Sequence, residues 1–126
     1  MGRTVLGPVG TPYSVGLKVS GSETVYLAGH LAVDESGALV APGDMEGQAR
    51  YIFESMAKIL AEAGGSLSDV VKITAYITTL EGYKSYGTVR HDVFGENLPT
   101  SATLQVVGLV IPGCVIEIEA VAVLGM

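Results

Sequence analysis

The chain has 126 residues, 48% of them hydrophobic and 16% charged, with a net charge of −6 from 13 acidic and 7 basic side chains. One domain spanning 1–126 is long enough to bury a proper core, and the basic residues (Arg3, Lys18, Arg50, Lys58, Lys72, Lys84, Arg90) form no run of the kind that neutralises phosphates, which argues against nucleic-acid binding. No stretch of 18 apolar residues offers to span a membrane, Met1-Gly2-Arg3-Thr4 lacks the apolar segment of a signal peptide, and one cysteine, Cys114, allows no internal disulfide, so a cytoplasmic protein is expected.

In chain order, Val15–Val19 reads as a short strand, 20–23 as a turn, and Thr24–His30 as the returning strand of a hairpin. Asp34-Glu35-Ser36-Gly37 is a second turn. From Asp44 to Ala63 the period becomes helical, with Ala49, Ile52, Phe53, Met56, Ile59, Leu60 and Ala63 in one stripe. Asp44 suits the N-cap and Gly64-Gly65 the stop. Val70–Ile77 alternates again. A second helix is predicted from about Leu80 to Phe94, with Tyr83, Tyr86, Val89, Arg90 and Val93 on one face, although Gly82 and Gly87 weaken it. Strands at Ser101–Val107 and Cys114–Val123 follow, joined by a turn around Ile111-Pro112-Gly113.

This order predicts an α+β two-layer sandwich, a mixed sheet with two helices on one face. The uncovered face must meet water or another subunit. The apolar excess in so small a chain points to a subunit. Thr24, Tyr26, His30, Lys72, Thr74, Tyr76, Ser101, Thr103, Gln105, Glu117 and Glu119 fall on the more polar faces of their strands, and the consistent assignment puts those faces together.

Conventional motifs are few. His30 and His91 have no metal-ligand spacing, so no metal is expected, and no phosphate-binding glycine loop or nucleophile elbow is present. Cys114 reads as a packing residue. Glu117 and Glu119 share one face of an otherwise apolar strand. They either face solvent or a subunit, or line a wet cleft where a carboxylate handles water or a proton.

Several segments together resemble the RidA/YjgF family of reactive intermediate deaminases. Thr11-Pro12-Tyr13-Ser14 resembles its Gly-Pro-Tyr-Ser entry, and Val25-Tyr26-Leu27-Ala28-Gly29-His30 its early strand. Gln48-Ala49-Arg50, Leu60–Lys72 and Val115–Ala122 resemble its helix start, helix-to-strand junction and C-terminal strand. The resemblance covers nearly the whole chain. It implies a chorismate-mutase-like fold, a homotrimer with clefts at subunit interfaces, and cofactor-free hydrolysis of enamines or imines such as 2-aminoacrylate.

Tyr13 and Glu117 match the family's site positions, as do the backbone positions of Gly29 and Thr103. Ser101 replaces the arginine that grips a substrate carboxylate, Ala28 replaces a serine, and Gly87 aligns with an asparagine. On this reading Glu117 and His30 are the candidate catalytic residues, and Tyr13, Gly29, Ser101 and Thr103 bind substrate. His30 supplies a proton or is a hydrogen-bonded interface residue. With the arginine gone and no Lys or Arg near it in sequence, poor action on 2-aminoacrylate is expected. Arg90 reads as a surface residue, with reach into an interface cleft as the alternative. The expectation is a divergent hydrolase of imines, enamines or a related small metabolite. The alternatives are a non-catalytic trimer binding a metabolite or partner, and a ribonuclease, which the acidic charge disfavours.

Overall fold

Among the described residues, the alternating and helical stretches form six strands and two helices: β1 (Arg3–Leu6), β2 (Gly16–Val19), β3 (Glu23–His30), α1 (Met45–Glu62), β4 (Val70–Ile77), α2 (Tyr83–Phe94), β5 (Thr100–Gln105) and β6 (Ile116–Leu124). A single 3-10 turn, Leu67–Asp69, leads into β4. This computed structural model describes residues 2–126.

The helix α1 starts where Asp44 caps it, its carboxylate accepting from the Gly47 amide at 3.1 Å. It ends where Gly64 adopts φ +81° and the Gly65 amide returns to the Leu60 carbonyl. Ala49, Ile52, Phe53, Met56 and Leu60 are buried, whereas Ile59, at the margin of the predicted stripe, is 39% exposed. Gln48 is completely buried and fully employed. Its amide donates to the carbonyls of Ala41 and Gly113, and its oxygen accepts from the Val115 amide. It thereby ties the start of α1 to the approach to β6. The helix α2 packs Tyr86, Val89 and Phe94 inward, with Phe94 edge-on to Phe53 at 5.2 Å between ring centres.

The helices pack on a mixed four-stranded sheet of order β3-β6-β4-β5, in which only β4 and β5 are parallel. A parallel pair needs a crossover, and α2 supplies it. Leu27, Ile73, Ala75, Ile77, Ile116, Ile118, Ala120 and Ala122 face the helices and form the core.

Two pairings differ from the sequence expectation. The segment 15–19 does not form a hairpin with β3. It pairs with β1, a strand too short and too irregular in pattern to be legible, and the two make a separate antiparallel ribbon. The Arg3 guanidinium pins that ribbon, donating to the carbonyls of Ser68, Val70, Asn97 and Leu98. Nor do β5 and β6 form a hairpin, because β4 lies between them. The long connection from 106 to 115 crosses it.

Candidate functional site

Register separates the polar residues that alternation had grouped. Thr74 stands opposite Glu119 and Tyr76 opposite Glu117, all on the uncovered face. In the β4–β5 pair, Ser101 stands opposite Ile73, Thr103 opposite Ala75 and Gln105 opposite Ile77. Directly paired residues share a face. Ser101, Thr103 and Gln105 therefore point to the helix side, away from Glu117. His30 also changes sides. An irregularity between Leu27 and His30 brings His30 opposite Ile118. Its Nδ1 donates to the Ala28 carbonyl at 2.6 Å. The polar face assigned from alternation is thus two surfaces.

On the uncovered face, Gly29, Tyr76, Glu117 and Glu119 line a cleft of about 360 Å³ with Val106, Gly108 and Leu109. The two glutamates differ. Tyr76 donates its hydroxyl proton to Glu119, and this bond, with lesser help from burial and from both carboxylate charges, raises the Tyr76 phenol pKa. Glu117 is half-buried. It has no side-chain hydrogen bond or ion pair among the described residues. A Cβ built on Gly29 would stand 2.2 Å from its Oε2. The carboxylate thus occupies space that only a glycine leaves, against bare backbone and open to the cleft. Cys114 lies buried nearby, and burial above all pushes its thiol pKa up, which suits packing rather than reactivity.

On the helix side, Tyr13, Ile77, Leu80, Tyr83, Arg90, Ser101, Thr103 and Gln105 line a second cleft, of about 270 Å³. The N-terminal segment reaches it because the Ser14 amide and hydroxyl donate to the carbonyls of Pro99 and Leu98. Arg90, read from the sequence as a surface residue, is 3% exposed. Its Nη1 donates to Ser101 Oγ at 3.0 Å. Its guanidinium carbon lies 5.7 Å from the Tyr13 ring centre and 5.4 Å from that of Tyr86. The surface reading of Arg90 is therefore corrected in favour of its alternative, reach into a cleft: the charge beside Ser101 comes from α2, eleven positions earlier in the chain. The signal was present, since Arg90 falls in the apolar stripe of α2. The general tendency of helix arginines to face water outweighed it.

Arg90 and Tyr86 are incompletely satisfied. Nε of Arg90 and the Tyr86 hydroxyl are buried without hydrogen-bond partners. The ion pairs among the described residues both belong to Arg50, with Glu46 and Asp92. Burial raises the Tyr86 phenol pKa to about 12, against the opposing pull of the Arg90 charge. The phenol thus stays neutral and gives Arg90 no counter-charge. Among the described residues no group of three or more His, Cys, Asp or Glu is placed to hold a metal ion. None of their helices is long and apolar enough to cross a membrane.

Residues 7–124 match the family described as Endoribonuclease L-PSP. A RutC family protein of Pyrococcus abyssi is 35% identical over 115 residues, 91% of this chain and 87% of that one. The 3-aminoacrylate deaminase RutC of Acinetobacter baylyi is 34% identical over 125 residues, 97% of this chain and 98% of its own. Among solved structures, a Rid-family protein of unknown function from Yersinia pestis superposes with a TM-score of 0.87 at 25% identity, covering 98% of this chain and 100% of that one. RidA from an Antarctic Psychrobacter gives 0.74 at 32% identity, covering 97% and 100%.

Proposed function

Because the chain belongs to the Endoribonuclease L-PSP family, the RidA/YjgF proteins, we propose that it hydrolyses an enamine or imine, releasing ammonia and a carbonyl compound without a cofactor. The observation that carries this reading is the Glu117 carboxylate, unbonded and lodged against Gly29 at the mouth of a cleft. An enamine first takes a proton on carbon, from the protonated carboxylate, and becomes the iminium. The carboxylate then takes a proton from water as the water oxygen bonds to the C=N carbon. It returns that proton to the nitrogen and accepts the hydroxyl proton as the C–N bond of the carbinolamine breaks, so that ammonia and the carbonyl compound leave and the carboxyl is protonated for the next enamine. Glu119 is less suited to the role because Tyr76 already occupies it. His30 lies across the sheet from Glu117, so the proton path proposed here does not run through it.

The two clefts open on opposite faces of one sheet, so a ligand held in the Arg90 cleft does not meet the Glu117 of the same chain. A homotrimer that lays the uncovered face of one subunit against the cleft edge of the next joins them. Tyr26 (79% exposed), Val107 and Val110 are apolar side chains left open to such a contact. A cytoplasmic setting fits the absence of disulfides.

Ammonia release from freshly generated 2-aminoacrylate, 3-aminoacrylate and neutral imines tests the proposal. The protein should accelerate at least one above buffer. Glu117→Gln should lower kcat by about 10²–10⁴-fold while leaving the oligomer intact. No acceleration across the panel, or full activity in the glutamine variant, contradicts hydrolysis and favours a binding protein.

A further inference from the structure

We infer that the cleft between α2 and β5 is a binding site for a small carboxylate anion, gripped by the Arg90 guanidinium with Ser101 beside it. A guanidinium offers five N–H donors in a planar fork and stays charged in proteins. The structure gives Arg90 one hydrogen bond, to a neutral hydroxyl, and no ion pair. Its Nε is buried and unpaired. Withdrawing such a cation from water is costly unless a counter-charge or further acceptors satisfy it. The rings of Tyr13 and Tyr86 offset part of that cost by facing the cation, but they accept none of its in-plane protons.

The molecule offers a better-paired counterpart, for the Arg3 guanidinium meets four backbone carbonyls. Beside Arg90 there is instead a cavity. Thr103 and Gln105 supply hydroxyl and amide groups along the cleft for the rest of the ligand. A carboxylate matches the fork with two parallel hydrogen bonds. Its consequence for catalysis rests on the hydrolysis proposed above: the preferred substrate is an enamine or imine carrying a carboxylate. The expectation of poor action on 2-aminoacrylate loses its premise.

Calorimetric titration of the full chain with pyruvate and with pyruvamide, which has the same shape without the charge, tests the site. Pyruvate should bind about 10- to 100-fold more tightly than pyruvamide. Arg90→Met should abolish that preference, and Arg90→Lys should retain only part of it. Equal affinity for the two probes in the wild-type protein, including binding by neither, overturns the inference whether or not the methionine variant folds. So does a preference unaltered by Arg90→Met. Carboxylate preference without turnover of any enamine or imine sinks the hydrolysis and leaves the anion site standing. Turnover without that preference does the reverse.

Discussion

Arg3 is partly and Arg90 almost wholly drawn out of water, and neither has an ion-pair partner among the described residues, yet their surroundings are opposite. Arg3 ends on four carbonyls at the junctions before β4 and β5. Burial lowers its pKa and the Asp69 charge offsets part of that. Both Nη groups are paired, and its work is to fix the N-terminal ribbon. Arg90 ends on one hydroxyl and a cavity. Glu119 and Glu117 repeat the contrast on the uncovered face, one bonded by Tyr76 and the other lying free against Gly29. Fold and site are thus told apart by whether a buried or half-buried charge has found its partner within the chain.

The sharpest way to press on that comparison at the Arg90 side is pH. Tyr86 holds its proton to about pH 12 in the folded protein, whereas an unfolded tyrosine loses it near pH 10. Between those values only the folded state carries the proton, so stability falls as pH rises. The full contribution is present below pH 10, and about 2–3 kcal/mol is lost by pH 12. Urea unfolding at pH 9 and pH 11.5 should reveal the loss, and Tyr86→Phe should remove most of it. A phenylalanine variant with the same alkaline slope would mean that the phenol is not sealed in beside Arg90.

A smaller effect separates the arginines directly. Arg3→Met removes donors from four carbonyls and should cost about 1–2 kcal/mol in urea unfolding at pH 7. Arg90→Met removes a cation with one neutral partner and two ring contacts, and its stability should stay within about 1 kcal/mol of wild type. A larger loss at Arg90 than at Arg3 would identify Arg90 as a structural tie and break the comparison.

The sequence carried most of the fold and one half of the site. The helix stripes and the Val70–Ile77 and Cys114–Val123 alternations survive because each depends on local periodicity. Strand neighbours do not. Nothing local shows that β4 separates β5 from β6, nor that Arg3–Leu6 takes the place of β3 beside β2. That gap moved Ser101 and Thr103 to the other face of the sheet. A one-residue irregularity at Ala28-Gly29 moved His30 as well. Glu117 and Gly29 were legible because they keep a recognisable motif. Arg90 was only the lesser alternative because its charge sits on a different element from Ser101, and nothing local shows that α2 lays it there.

A crystal structure of the full chain soaked with pyruvate would show both clefts at once. The ligand carboxylate should lie on the Arg90 fork next to Ser101, with its carbonyl carbon facing Glu117 of a neighbouring subunit. Pyruvate bound away from Arg90, or an Arg90 cleft that no second copy's Glu117 approaches, would contradict that placement.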